Sequence, residues 1–105
     1  MRLKLGQTED MPQGSTALVV EGRIYLVTRE GDLFYVLDGV CTHRGGDLSR
    51  GRIEGGTVRC PRHGAVFDLR NGELKGQVRI PLIGKASALR SYPSWEEDGW
   101  LFIEV

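Results

Sequence analysis

An all-β sandwich or partial barrel is the fold that this sequence predicts, on three observations. Its apolar residues fall in short runs of strand length, glycine-bearing turn dipeptides separate those runs, and no stretch shows convincing helical periodicity. In chain order the runs are Thr16 to Val20, Ile24 to Thr28, Leu33 to Leu37, Val58 to Cys60, Ala65 to Leu69, Ala88 to Tyr92 and Trp100 to Val105, all rich in β-branched or aromatic residues. Between them stand Glu21-Gly22, Glu30-Gly31, Asn71-Gly72 and Asp98-Gly99. Glycine accepts the positive φ that a tight hairpin requires, so the sheet is expected to be largely antiparallel. In the last run Leu101, Ile103 and Val105 share one face and Trp100, Phe102 and Glu104 the other, the alternation of a sheet packed mainly on one side. Only Leu82 to Arg90 is ambiguous between strand and helix.

With 105 residues the chain is the size of a single domain, spanning 1–105, with no room for a second domain carrying its own active site. The 14 Lys and Arg balance the 14 Asp and Glu, which speaks against nucleic acid or a membrane surface as the partner. Met1 to Asp10 mixes charged and polar residues where a signal peptide needs an unbroken apolar stretch, and no later segment has the length of a transmembrane helix. A cytoplasmic protein is the expectation. No internal repeat, linker-like tract or block of like charge is present.

The middle of the chain departs from the strand pattern. From Asp38 to Gly56 glycines stand at 39, 45, 46, 51, 55 and 56 among charged residues, and a second tight stretch follows at Cys60-Pro61-Arg62-His63-Gly64. Two structured loops are expected to project from the sheet here. A further loop around Val78 to Gly84, containing Pro81, is placed to lie against them.

Those two loops hold every cysteine and histidine of the chain: Cys41-Thr42-His43, then Cys60-Pro61-Arg62-His63. A buried Cys is ordinarily a small hydrophobe and a lone His a satisfied polar group, but scattered structural use would not gather all four into two glycine-flanked loops. A disulfide from Cys41 to Cys60 fits poorly with a chain lacking an export signal. A metal site is the economical reading. Two thiolates and two imidazoles suit tetrahedral zinc; however, zinc modules of that composition usually place two Cys together and then two His. Here each loop contributes one of each, so paired loops can direct the thiolates to one metal and the imidazoles to a second beside it, as a two-iron cluster needs.

The segments Cys41-Thr42-His43-Arg44-Gly45-Gly46-Asp47-Leu48, Glu54-Gly55-Gly56-Thr57-Val58-Arg59-Cys60-Pro61-Arg62-His63-Gly64-Ala65-Val66-Phe67-Asp68 and Asn71-Gly72-Glu73 closely resemble the two cluster-binding boxes of Rieske-type ferredoxins, over about a third of the chain. The resemblance implies a Rieske-like antiparallel β sandwich in which a small cluster-binding subdomain, about residues 39–76, is inserted in the base β domain. It also implies one [2Fe-2S] cluster per chain, with Cys41 and Cys60 on the inner iron and His43 and His63 on the outer iron. With neutral histidines the oxidised cluster and its ligands carry no net charge, so an added electron meets less repulsion than in a four-thiolate cluster.

The chain is not expected to be an enzyme itself. Rieske oxygenases need a second iron on two His and a carboxylate, and no His remains once His43 and His63 are used; the glycine-rich nucleotide fingerprint of a reductase is also missing. The resemblance implies an electron carrier between an NAD(P)H-dependent flavin reductase and a terminal oxygenase. The small subunit of an assimilatory NAD(P)H nitrite reductase, attached to its large subunit, is the second role, and a zinc-stabilised interaction module is the reading from another class. Partners are expected to dock at the exposed edges of His43 and His63, flanked by Arg44 and Arg62, with Pro81 to Ile83 along the rim. Trp95, Trp100, Phe34 and Tyr35 are expected to serve packing.

Departures from the boxes bear on the potential. Rieske proteins of cytochrome bc complexes carry an additional disulfide at the positions of Gly46 and Arg62, and Ser and Tyr hydroxyls that donate to sulfur at the positions of Ala65 and Phe67. Without those donors the reduced cluster is less stabilised. The midpoint potential is expected toward the low end of the class range of roughly −150 to +300 mV, and protein-film voltammetry returning a value above the middle of that range would refute the argument.

Overall fold

The computed structural model describes residues 1–42, 46–62, 64–79 and 84–105. Its strands are β1 Arg2–Gln7, β2 Gly14–Val20, β3 Arg23–Glu30, β4 Leu33–Asp38, β5 Arg52–Glu54, β6 Thr57–Arg59, β7 Val66–Asp68, β8 Leu74–Gly76, β9 Ser91–Tyr92, β10 Ser94–Glu97 and β11 Trp100–Glu104. Single 3-10 turns occupy Thr8–Asp10 and Leu48–Arg50. The strands form three antiparallel sheets, ordered β1-β11-β10, β2-β3-β4-β9 and β5-β6-β7-β8. Among the described residues no helix is long and apolar enough to cross a membrane.

Turn chemistry explains the connections. The two-residue turn joining β2 to β3 has φ of +52° at Glu21 and +78° at Gly22, and that joining β10 to β11 has +53° at Asp98 and +80° at Gly99. Two successive positive φ values define the type I′ turn, whose twist matches that of the flanking strands. Gly55 and Gly56, at +58° and +78°, join β5 to β6 in the same way.

Within the β2-β3-β4-β9 sheet the strands β3 and β4 are buried on both faces, and period-two alternation divides their side chains between two cores. Tyr25, Val27, Val36 and Tyr92 pack with Leu5, Leu101 and Ile103 of the β1-β11-β10 sheet. Leu26 and Leu37 point the other way, into a second core with Val58 and Phe67 of the small sheet and with Leu48, Cys41 and Cys60. In the first core the Tyr25 and Tyr92 rings meet edge to face at 5.4 Å. Burial, reinforced by its hydrogen bond to Asp38, pushes the Tyr92 phenol up to about 12.

Three expectations change. The run Ala88 to Tyr92 is a strand only at Ser91–Tyr92, because β9 pairs with β4 at just Val36↔Tyr92 and Leu37↔Ser91. The segment from Asp38 to Gly56 is not all loop: it contains the turn Leu48–Arg50 and the strand β5. The outer face of β11 is also covered, since Phe102 stacks on Trp95 at 6.1 Å beneath Arg2 at 4.5 Å and is only 7 % exposed. Aromatic packing accounts for the other residues assigned to it, with Lys4 over Trp100, Arg29 over Phe34 and Arg70 over Tyr35. Within the ambiguous stretch, residues 84–90 form neither helix nor strand.

Leu26 is fully buried and links the central sheet to the core that holds the cysteines. Leu26→Ala is expected to lower unfolding free energy by about 2–5 kcal/mol in urea titration. Val19→Ala, at a 70 % exposed position of β2, is expected to change it by no more than about 0.5 kcal/mol. Equal losses in the two variants would contradict the burial assigned to the central sheet.

Candidate metal centre

Each of the two loops is closed by the same hydrogen bond. The Cys41 N–H donates to the Gly46 carbonyl at 2.8 Å, and the Cys60 N–H donates to the Ala65 carbonyl at 2.7 Å. In both cases a cysteine is bonded to the residue five positions on, at the mouth of a short loop. Flanking pairs extend each closure: Val40 bridges Asp47 beside the first loop, and Arg59 pairs with Val66 beside the second. The histidines stand inside these closures in sequence, two positions after Cys41 and three after Cys60.

Both cysteines are nearly inaccessible, 3 % and 4 % exposed, and belong to one core. They are not joined to each other in a disulfide. The loops themselves meet at Gly46: a Cβ there would stand 2.7 Å from the Cys60 Sγ and 3.2 Å from the Arg62 side chain, so glycine is required to let the first loop approach the sulfur of the second. The same contact places Gly46 against Arg62, the two positions at which the resemblance found the additional disulfide missing. Ala65 and Phe67 are fully buried in the core beside Cys60 and bring no hydroxyl to it. Two buried thiols from converging loops fit an iron–sulfur cluster; their burial excludes water from the sulfur side of such a group.

The remaining segment is tied in from below. The Gln77 side chain accepts from the Ala86 N–H at 2.8 Å and donates to the Ala86 carbonyl at 3.0 Å, which joins the end of β8 to Ala86. The Thr42 hydroxyl donates to the Ser87 carbonyl at 2.6 Å and accepts from the Ser87 N–H at 3.0 Å, fastening the first loop to the end of that segment. Val78 is buried with the cysteines, and the Arg79 side chain lies against Gly64, where a Cβ would meet its Nε at 2.8 Å. Behind the first loop, Asp47 caps the turn Leu48–Arg50, and the hydrogen bond from the Ser49 hydroxyl holds its carboxyl below the usual value.

Of the residues singled out in the sequence, Cys41, Cys60 and Arg62 are brought together, and Arg62 lines a depression of about 280 Å³ beside Cys60. His43, Arg44, His63 and Pro81 lie outside the described residues. Sequence reasoning missed Gln77 and Thr42, whose roles are set by partners nine and 45 residues away. It also missed Arg50, Arg52, Arg59 and Arg79, which line the same depression as Arg62. A hairpin turned at Gly55-Gly56 sets Glu54 opposite Thr57 and hence Arg52 opposite Arg59, but Arg52-Ile53-Glu54 lacks the strand-forming composition that would have signalled it.

Comparison with known proteins places these loops in a family. The chain is 36 % identical over 72 residues to the ferredoxin CarAc of Metapseudomonas resinovorans, covering 67 % of each chain. It is 29 % identical over 97 residues to the 3-phenylpropionate/cinnamic acid dioxygenase ferredoxin subunit of Escherichia coli K12, covering 91 % of this chain and 86 % of that one. Among solved structures, a chain in the complex of reduced oxygenase and oxidized ferredoxin of carbazole 1,9a-dioxygenase superposes with a TM-score of 0.76 at 26 % identity, over 97 % of this chain and 100 % of that one. The family model for the Rieske [2Fe-2S] domain matches residues 1–93, and with its paired loops and β architecture the chain belongs to the Rieske [2Fe-2S] family.

Proposed function

We propose that this chain is a soluble, cytoplasmic one-electron carrier that takes electrons from an NAD(P)H-dependent flavin reductase and delivers them to the terminal oxygenase of a ring-hydroxylating dioxygenase system. The observation that carries the reading is the convergence of two identically closed loops that bury Cys41 and Cys60 in one core. In this reading Cys41 and Cys60 hold the inner iron and His43 and His63 the outer iron. The bound [2Fe-2S] cluster supplies reversible one-electron chemistry.

The chain's own residues do the rest. Burial keeps water from the two cysteines, a backbone hydrogen bond closes each loop behind its cysteine, and Thr42 ties the first loop to Ser87. Residues 39–76, which contain both loops and the sheet β5–β8, act as the cluster-binding subdomain within a single domain of residues 1–105. Arg62, beside Cys60, lies on the docking edge, to which Arg44 and Pro81 are assigned by their place in the sequence. One relative is named as a dioxygenase ferredoxin subunit and one matching structure is a complex of oxygenase and ferredoxin, which favours the oxygenase partner over the large subunit of a nitrite reductase.

Low-temperature EPR of the dithionite-reduced protein tests the reading. One unpaired spin per chain with a g-average near ~1.9, showing hyperfine coupling to two nitrogens that is lost from His63→Ala, is expected; a colourless protein containing one zinc would sink it. Gly46→Ala tests the loop contact separately. The added Cβ cannot coexist with the Cys60 sulfur at 2.7 Å, so iron and acid-labile sulfide per chain are expected to fall well below wild type. Full loading with an unchanged visible spectrum would show that Gly46 does not set the approach of the loops.

A further inference from the structure

Formal charge is segregated along the chain. Residues 39–79 carry eight Lys and Arg against four Asp and Glu, whereas the rest carries six against ten, so a zero net charge conceals a positive cluster-binding part and a negative base. Within the positive part the side chains gather. The depression beside Cys60 is lined by Arg50, Arg52, Arg59, Arg62 and Arg79, with no acidic residue among its described lining.

Folding stability does not account for this arrangement. Arg52 and Arg59 are directly opposed on β5 and β6, and like charges so placed are destabilising. Relief is partial: Arg52 pairs with Glu54 at 3.1 Å and Arg50 with Asp47 at 3.8 Å, both at the surface, where such pairs are weak. Arg59 donates to the Gly64 carbonyl at 2.9 Å, which fixes a guanidinium at the mouth of the second loop. The side chains of Arg50 and Arg52 are 84 % and 76 % exposed and so are open to a partner.

The geometry points to a docking surface for an acidic patch on a redox partner protein, seated on the arginine-lined depression beside Cys60. This inference rests on the electron-carrier reading and adds the partner's charge and the face it meets. Cys60 borders the depression from its buried side, so a partner seated there lies next to a proposed cluster ligand without reaching it. The opposed charges of the two parts would turn the molecule arginine-first toward a negative surface during encounter. An extended polyanion is less suited, because it would run on to the acidic remainder of the chain.

The test oxidises the reduced holoprotein with two one-electron protein oxidants of opposite charge, an acidic plastocyanin and a basic cytochrome c, in stopped flow over a range of ionic strength. One electron passes from the reduced cluster to Cu(II) or to ferric haem. The rate constant with plastocyanin is expected to fall as salt rises, and Arg52→Glu to lower it about tenfold at low salt. Arg52→Glu sets a carboxylate opposite Arg59 and is expected to fold; Arg52→Lys is expected to keep the wild-type rate, and Arg2→Glu, on β1, to change it less than about twofold. Midpoint potentials measured in parallel separate driving force from association. Equal effects of Arg52→Glu and Arg2→Glu, a plastocyanin rate that rises with salt, or DNA-duplex binding that Arg52→Glu abolishes would overturn the docking surface while leaving the carrier intact. A protein without the Rieske EPR signal would overturn both.

Discussion

Burial of β3 and β4 on both faces of the central sheet is the constraint on which the rest of this structure depends. β3 and β4 alternate strictly, Tyr25, Val27 and Val36 facing one core and Leu26 and Leu37 the other. A sheet that had to satisfy only one core could present polar residues on its far side. Here the far side is the floor beneath Cys41 and Cys60, so a one-residue slip of β3 or β4 would exchange the two sets of side chains and disrupt both cores together. The cysteine loops therefore stand on a platform whose register is set by the other half of the molecule.

On that platform, order comes from a small number of hydrogen bonds. The same hydrogen bond from a cysteine N–H to the carbonyl five residues on joins the two ends of both loops. Thr42 then ties the first loop to Ser87, and Gln77 ties the end of β8 to Ala86. Gly46 makes the convergence possible by presenting no side chain where the sulfur of Cys60 must sit.

Two electrostatic influences on the site act over different distances. Hydroxyl donors at the positions of Ala65 and Phe67 would act directly on sulfur inside the buried core, where their absence is felt without screening. The arginines of the depression are largely at the surface, where water and salt weaken their pull on a buried cluster. Short-range hydrogen bonding would therefore have the larger say in how readily a cluster there accepts an electron, and the arginines are placed to act at encounter.

The sequence by itself determined the β class, the hairpins at Glu21-Gly22 and Asp98-Gly99, and the grouping of Cys41, His43, Cys60 and His63 in two loops, because turns and closely spaced ligands are local properties of the chain. It did not show β1, β5, β8, β10 or the brevity of β9, since segments such as Arg52-Ile53-Glu54 have no strand-forming composition and the end of a strand depends on its partner. It also left the outer cover of β11 and the tethers at Thr42 and Gln77 undetermined, because those contacts join residues distant in sequence. Only the tertiary structure brought five arginines, spread from Arg50 to Arg79, around one depression beside Cys60, for a charge pattern is linear in the chain whereas the potential that a partner meets is set by where the charges lie in space.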